Sequence, residues 1–167
     1  MCRYHPPDTG RPKTFYHLSF DITTNFSNDT LRIAYCVPYT YSDLLLFLKD
    51  LKKKNIGKRY YNEGKLCRSL GGLNIPLITV ADDLNEDVDS KTRNLKKKCI
   101  VLAARVHPGE SNSSFLMEGF LTFLLSNNKY ARHLRSNIIF KIVPMLNPDG
   151  VSFGNHRTGL SGKDFNR

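Results

Sequence analysis

The first part of the chain carries short stretches in which apolar and polar residues roughly alternate. Two of them, Phe15–Phe20 and Leu31–Val37, predict strands that could pair as an antiparallel hairpin. Pro38 then ends the second strand, because proline lacks the backbone N–H that a strand donates. We therefore expect residues 1–40 to be the last part of a β-rich module.

A helix and a second hairpin are predicted next. Thr40 or Ser42 can cap a helix over Leu44–Leu51, which ends in a run of lysines that suits the negative end of its dipole. Leu66–Leu70 and Ile75–Val80 flank two glycines and predict an antiparallel hairpin at the entrance of another module.

The pattern changes near residue 99. The continuous apolar run Cys99–Ala104 predicts a strand buried on both faces of a sheet, and Asn137–Leu146 predicts another. Between them, Ser113–Leu125 has the broad apolar face of a helix. Strand, helix and strand at this spacing predict a βαβ unit, so we expect residues 41–167 to form part of an α/β domain with a mixed, largely parallel sheet and flanking helices.

Polar segments follow the carboxyl ends of these two predicted strands, where open α/β sheets carry their functional groups. His107 and Glu110 could ligate one zinc ion, or could be a surface histidine and a carboxylate that starts a helix. Asn147–Gly150 is a turn sequence. Arg157 and Arg167 could be surface residues, or could pair with a carboxylate through their guanidinium groups.

Composition narrows the choice of partners. The net charge of +10 would attract a polyanion, such as nucleic acid, an anionic membrane surface or an acidic protein tail. The lysine runs Lys52–Lys54 and Lys96–Lys98 could equally be solvated ends of helices and loops. The absence of a basic stripe interleaved with aromatic residues argues against nucleic acid.

Other features predict a soluble intracellular protein. The four cysteines are scattered along the chain, so free thiols fit better than a disulfide framework. No apolar stretch approaches the length of a membrane span, and the N-terminus has no apolar signal region.

Four motifs, taken in order, resemble those of the zinc metallocarboxypeptidases, and specifically of the cytosolic carboxypeptidase branch: His107–Glu110, Asn147–Gly150, Gly154–Arg157 and Asp164–Arg167. The segment Ala34–Leu44 resembles the junction between that branch's N-terminal β-sandwich and its catalytic domain. The resemblance implies that residues 1–40 end the sandwich and that residues 41–167 begin the catalytic domain. The secreted pancreatic branch has an arginine where this chain has Gly109, which disfavours a digestive enzyme.

The resemblance implies a metal centre with one Zn²⁺ ion. It makes His107 and Glu110 zinc ligands and Asp164 the carboxylate that orients the zinc-bound histidine. A catalytic zinc normally has three protein ligands. The family's third ligand, its general-base glutamate and its substrate-facing tyrosine come later in its chains. We therefore expect the third ligand to lie beyond residue 167, and this chain to be an inactive fragment.

The resemblance also implies a substrate-binding group. Arg157 corresponds to the arginine that stabilises the developing oxyanion, and Asn166 and Arg167 to the pair that holds the terminal carboxylate of the substrate. His156 and Asp149 receive no chemical role and are predicted to be structural. The implied substrates are glutamate-rich protein tails, such as those of tubulin, in the cytoplasm.

Two other functions stay open at this point. One is a non-catalytic module that binds acidic tails or nucleic acid on a truncated peptidase fold. The other is a zinc deacylase of the same fold that acts on small acylated amino acids. A histidine ligand and a glutamate base later in the chain would favour the peptidase over the binding module.

Overall fold

Residues 19–33, the described part of the N-terminal segment, contain no helix or strand. A computed structural model of the chain describes residues 19–55, 57–82, 84 and 97–167, and its contacts divide the chain between Ile33 and Ala34. Residues 19–33 form turns and bends, and their large apolar side chains are exposed. The predicted strand Leu31–Val37 does not form. An alternating segment becomes a strand only when a neighbour completes its hydrogen bonds, and its predicted partner, Phe15–Phe20, lies mostly outside the described residues.

The described part of Ala34–Arg167 is a mixed α/β structure. Its helices and strands, in chain order, are Tyr41–Lys54 (α1), Tyr61–Arg68 (β1), Asn74–Val80 (β2), Lys98–Ala103 (β3), Asn112–Leu124 (α2), Lys129–Asn137 (α3), Ile138–Val143 (β4) and Pro148–Phe153 (α4). The predicted first helix, the glycine hairpin and the strand–helix–strand unit are confirmed. Sequence reasoning missed α3, because its charged residues hide the small apolar face that it buries.

The sheet has the order β1-β2-β4-β3. β3 and β4 are parallel neighbours over six residue pairs, from Lys98–Ile138 to Ala103–Val143, as predicted. β2 pairs antiparallel with both β1 and β4, so the sheet is mixed, as predicted, and the parallel pair among its described strands is that of β3 and β4. The buried core joins α1 and α2 to the two central strands and includes Leu44, Leu48, Ile78, Met117, Leu121, Leu124, Phe140, Ile142 and Met145.

The two parallel strands differ in burial. β4 lies inside the sheet and buries Phe140, Ile142 and Val143. β3 lies at the edge, where the side chain of Val101 is 68% exposed and that of Ile100 is 38% exposed. The prediction that Cys99–Ala104 is buried on both faces is therefore wrong. Burial depends on the neighbours of a strand, and in the described structure β3 has only one.

Two further expectations concern cysteines and membranes. The cysteines of the described residues, Cys36, Cys67 and Cys99, are free thiols. Each helix within the described residues is too short or too polar to cross a membrane.

Helix α1 begins at a reciprocal cap. The Thr40 hydroxyl oxygen accepts a hydrogen bond from the backbone N–H of Asp43 (3.1 Å), and the Asp43 carboxylate accepts from the Thr40 N–H (2.8 Å). The bond from that backbone N–H lowers the pKa of Asp43. The two residues thereby satisfy N–H groups that have no partner inside the helix.

A buried carboxylate joins the glycine hairpin to the start of α4. Asp149 accepts a hydrogen bond from the Ser69 hydroxyl (2.7 Å) and another from the Gly71 N–H (2.9 Å). A Cβ atom at Gly71 would lie 2.6 Å from the same carboxylate, so only glycine allows this approach. Asp149 is therefore structural, as predicted, but it fastens a distant hairpin rather than only shaping its own turn.

The cap of α1 gives a first prediction. Thr40→Ala should lower the free energy of unfolding by about 1 kcal/mol, because it removes the hydroxyl that caps the helix. The variant also loses the bond that the Thr40 hydroxyl donates to the Asp43 carboxylate (2.7 Å). The stabilising effect of ionised Asp43 is present above its unfolded pKa of 3.8 and is lost as pH falls through the lowered folded value, so the difference between Thr40→Ala and the unchanged chain should shrink in acid. Urea unfolding followed by circular dichroism measures both. Thr30→Ala, an exposed site outside the helices, is the matched control; equal losses in the two variants would contradict the cap.

The hairpin clamp gives a second prediction. Asp149→Ala should destabilise the chain by about 2 kcal/mol or more, because it leaves two donors without their charged acceptor. Hydrogen exchange of the Gly71 amide should accelerate more than exchange in β4. Asp50→Ala, which removes an exposed ion pair with Lys54, should change stability by less than about 0.5 kcal/mol. Unchanged protection of Gly71 in Asp149→Ala would show that the clamp is unimportant.

Candidate metal centre

The hydrogen-bond ladder between β3 and β4 continues past the ends of both strands. The Ala104 N–H donates to Val143 O (2.9 Å), and the Asn147 N–H donates to Arg105 O (3.2 Å). The segments that follow the two strands therefore leave the sheet side by side, as expected for parallel strands.

Three loops meet beyond this edge at two glycines. The Gly109 N–H donates to His156 O (2.7 Å), and a Cβ atom at Gly109 would overlap the His156 ring and lie 2.8 Å from that carbonyl oxygen. A Cβ atom at Gly150 would overlap the Pro108 ring and lie 2.7 Å from Thr158 O. Side chains at either position would push the loops apart. His156, predicted to be structural, packs against the first of these glycines.

The contact between these loops orients the imidazole of His107, a residue that is only 8% exposed. Its Nδ1 lies 3.1 Å from Glu110 Oε1, and its Nε2 lies 3.0 Å from Asp164 Oδ1. One ring nitrogen therefore faces the carboxylate of its own turn, and the other faces a carboxylate from the end of the chain.

Asp164 is held as an anion. The Asn166 backbone N–H donates to Asp164 Oδ1 (2.9 Å), and Arg157 Nε donates to Oδ2 (2.5 Å). The Asn166 N–H lowers the pKa of Asp164 to about 2, and the bonds from His107 and Arg157 act in the same direction. At neutral pH this carboxylate has no proton to donate, so in this contact Nε2 of His107 is the donor and Asp164 is the acceptor.

This assignment determines what the other side of the ring can do. With Nε2 engaged by Asp164, Nδ1 is the ring nitrogen that can bind a cation together with the Glu110 carboxylate, whose side chain is 56% exposed. Two electron-rich atoms at this separation attract a cation, and imidazole nitrogen with carboxylate oxygen suits zinc. The pair therefore fits a metal ion, although no three His, Cys, Asp or Glu side chains converge on one such position within the described ranges.

The remaining predicted site residues, Arg157, Asn166 and Arg167, contact the His107–Glu110 pair only indirectly or not at all. The Arg157 side chain is 41% exposed and reaches Asp164 through Nε alone. Asn166 contacts Asp164 through its backbone, and Arg167 Nη1 donates to the Asn166 carbonyl oxygen (2.7 Å). The structure thus brings His107, Glu110, Asp164 and Arg157 together. It does not bring the side chains of Asn166 and Arg167 into contact with them.

Two buried residues around the turn were missed by sequence reasoning. Asn147 Nδ2 donates to Val106 O (3.2 Å), which ties the second turn to the residue before His107. Arg105 is 5% exposed and has a positive φ of 53°, and burial lowers its pKa. The available signal was an arginine placed directly after a continuous apolar run, where its charge is hard to solvate.

Comparisons with known proteins agree with this geometry. The chain is 46% identical over 157 residues to cytosolic carboxypeptidase 4 of Homo sapiens, which covers 93% of this chain and 14% of that protein. It is 42% identical over 166 residues to cytosolic carboxypeptidase 2 of Macaca fascicularis, covering 99% and 19%. The chain thus spans less than a fifth of the length of these two relatives.

A solved structure has the same fold. The metallo-carboxypeptidase from Burkholderia cenocepacia superposes with a TM-score of 0.63 at 28% identity, covering 77% of this chain and 32% of that one. Residues 58–167 match the zinc carboxypeptidase family, Peptidase_M14, and this match includes both turns and the Asp164 network. The chain therefore belongs to the zinc carboxypeptidase family.

Proposed function

We propose that this chain supplies part of the active site of a zinc metallocarboxypeptidase, which removes C-terminal glutamates from acidic protein tails such as those of tubulin. The observation that carries the proposal is the orientation of His107. Its Nε2 is engaged by an ionised Asp164, while its Nδ1 and the Glu110 carboxylate converge 3.1 Å apart. Two donors are thus preset for a metal ion.

In this proposal His107 and Glu110 hold one zinc ion. Bound zinc would lower the pKa of a water molecule and polarise the scissile carbonyl. Asp164 keeps the proton of His107 on Nε2, so that Nδ1 stays available as a ligand, and increases the basicity of the ring. Since Asp164 itself is fixed by Arg157 and the Asn166 backbone, the imidazole loses little rotational freedom when the metal binds.

Arg157 has a second role in this proposal. Its Nε is engaged by Asp164, which orients the guanidinium plane and leaves the terminal nitrogens to donate to the oxyanion of the reacting carbonyl. Asn166 and Arg167 bind the terminal carboxylate of the substrate. Arg167 donates to the Asn166 carbonyl oxygen through Nη1, which leaves its other guanidinium N–H groups for that carboxylate.

The substrate class rests on two supports. The motifs resemble the cytosolic carboxypeptidase branch, and the relatives carry that name. The net charge of +10 favours an acidic partner over a basic one. A cytoplasmic location follows from the same resemblance. As the resemblance implies, we propose that the third zinc ligand and the general base lie beyond residue 167, and that the 167 residues alone are inactive.

Metal binding gives the third prediction. Isothermal titration calorimetry should detect weak zinc binding to the 167-residue chain, and both His107→Ala and Glu110→Gln should weaken it at least about tenfold, because each removes one of two donors. His133→Ala is the matched control, since this exposed histidine lies in the middle of α3, away from the two turns. If the His107 and His133 variants bind zinc equally well, the proposed metal centre is wrong.

Activity gives the fourth prediction. A chimera in which this chain replaces the matching segment of Macaca fascicularis cytosolic carboxypeptidase 2 should release glutamate from a polyglutamate-tailed peptide, with the unmodified relative as reference. Arg157→Lys in the chimera should lower kcat about 10²–10³-fold, because the oxyanion loses an oriented donor.

Two controls accompany the chimera. The 167-residue chain alone should release no glutamate above background, and a chelator should stop release by the chimera. Chelator-sensitive release by the chain alone, lost in His107→Ala, would show that its own residues complete the site. An inactive chimera beside an active relative would count against the peptidase assignment.

A further inference from the structure

We propose that Arg105 is a positioning residue for the metal centre, whose buried guanidinium fixes the spacing of His107 and Glu110. The inference rests on the proposed zinc site and adds a residue to which the family resemblance gave no role. It starts from the contacts of Arg105 with the turn and with the beginning of α2.

The side-chain hydrogen bonds of Arg105 end between the two proposed ligands and just after them. Its Nε donates to the carbonyl oxygen of Pro108 (2.9 Å), one of the two residues between His107 and Glu110. Its Nη1 donates to the Ser114 hydroxyl (2.9 Å) in the first turn of α2. One planar group therefore ties the middle of the ligand turn to the helix that follows it.

The backbone of Arg105 extends the same connection. Its N–H donates to the Ser113 hydroxyl oxygen (3.1 Å), and that hydroxyl donates to the Glu110 carbonyl oxygen (2.8 Å). The Arg105 carbonyl oxygen accepts the N–H of Asn147, the last step of the ladder between the two strand extensions. These hydrogen bonds fix the position of the ligand turn relative to the sheet.

Placing an arginine at position 105 lowers the stability of the folded chain, for two reasons. Its side chain is buried, and among the described residues no Asp or Glu forms an ion pair with it, although a buried charge normally has such a partner. Its φ of 53° adds strain, because the left-handed region suits glycine better than arginine. A rigid fork that reaches two acceptors at once is what an arginine supplies here and an apolar residue does not.

The variant Arg105→Lys distinguishes the effect of the positive charge of Arg105 from the effect of its planar geometry. It keeps the positive charge of Arg105 but replaces the planar fork with a flexible ammonium group, which does not hold Pro108 O and the Ser114 hydroxyl in fixed positions together. If Arg105 acts only through its charge, Arg105→Lys should behave like the unchanged chain. If it acts through its geometry, the turn should relax and the two ligands should lose their spacing.

A second buried arginine provides a matched control. Arg135 is 3% exposed and donates to the carbonyl oxygens of Leu124 and Ser126 at the end of α2. It also lies over the Tyr60 ring, with its guanidinium carbon 4.2 Å from the ring centroid. Arg135→Lys therefore makes the same chemical change at an equally buried site that does not touch the turn.

The test titrates Co²⁺ into the 167-residue chain and its variants and records both affinity and the visible absorption spectrum, which reports ligand geometry. We expect Arg105→Lys to lower metal affinity about 10–100-fold, the usual effect of losing a group that orients a ligand, and to alter the spectrum. Arg135→Lys should lower Tm and leave both readouts unchanged. Ser114→Ala, which removes one acceptor and keeps the arginine, should lower affinity by a smaller factor.

The outcomes distinguish a failure of the proposed role of Arg105 from a failure of the proposed metal centre. If His107→Ala abolishes metal binding while Arg105→Lys and Ser114→Ala bind as the unchanged chain does, the role of Arg105 is refuted and the metal centre stands. If His107→Ala has no effect on metal binding, both the proposed metal centre and the role of Arg105 are wrong. Should Arg105→Lys fail to fold, Ser114→Ala decides: unchanged affinity and spectrum in that variant would refute the inference.

Discussion

The parallel pairing of β3 and β4 is the constraint on which the candidate site depends. Because the two strands run in the same direction, their hydrogen bonds carry on beyond the sheet, as far as the bond between Asn147 and Arg105. The turns that follow are consequently neighbours, and Gly109 and Gly150 let backbone and rings approach where a Cβ atom would not fit. Antiparallel strands would have placed the two turns at opposite ends of the sheet.

At this edge of the sheet, the charged side chains form one continuous series of contacts. Arg157 and the Asn166 N–H hold Asp164 as an anion, Asp164 takes the proton side of the His107 ring, and the opposite nitrogen is left facing Glu110. Each step sets the state of the next one. The series begins at the two donors that hold Asp164 and ends at the exposed carboxylate of Glu110. A metal ion that binds there would therefore meet an imidazole ring that is already oriented.

Sequence reasoning was most accurate where the signal is local. The cap of α1, the glycine hairpin and the two strands on either side of α2 follow from patterns a few residues long. Predictions that depended on neighbours failed: Leu31–Val37 forms no strand, and β3 lies exposed at the edge of the described sheet. Asp149 was left as a turn residue because its partner, Ser69, lies 80 positions earlier. Arg105 was missed because nothing in its own segment shows that Pro108 and Ser114 fold back onto it.

The positive charge of the chain has two different origins in the fold. Lys52–Lys54 end α1, beside the beginning of β1, and Lys98 opens β3; both positions lie at the end of the sheet opposite the candidate metal centre. At the end of α1 the lysines complement the negative end of the helix dipole and stay solvated. At the site the cations are Arg105, Arg157 and Arg167, and each has a hydrogen-bond acceptor. A proposed acidic tail would therefore meet the guanidinium groups of Arg157 and Arg167 at this site, since Lys52–Lys54 and Lys98 lie at the opposite end of the sheet and salt screens charges that are far apart.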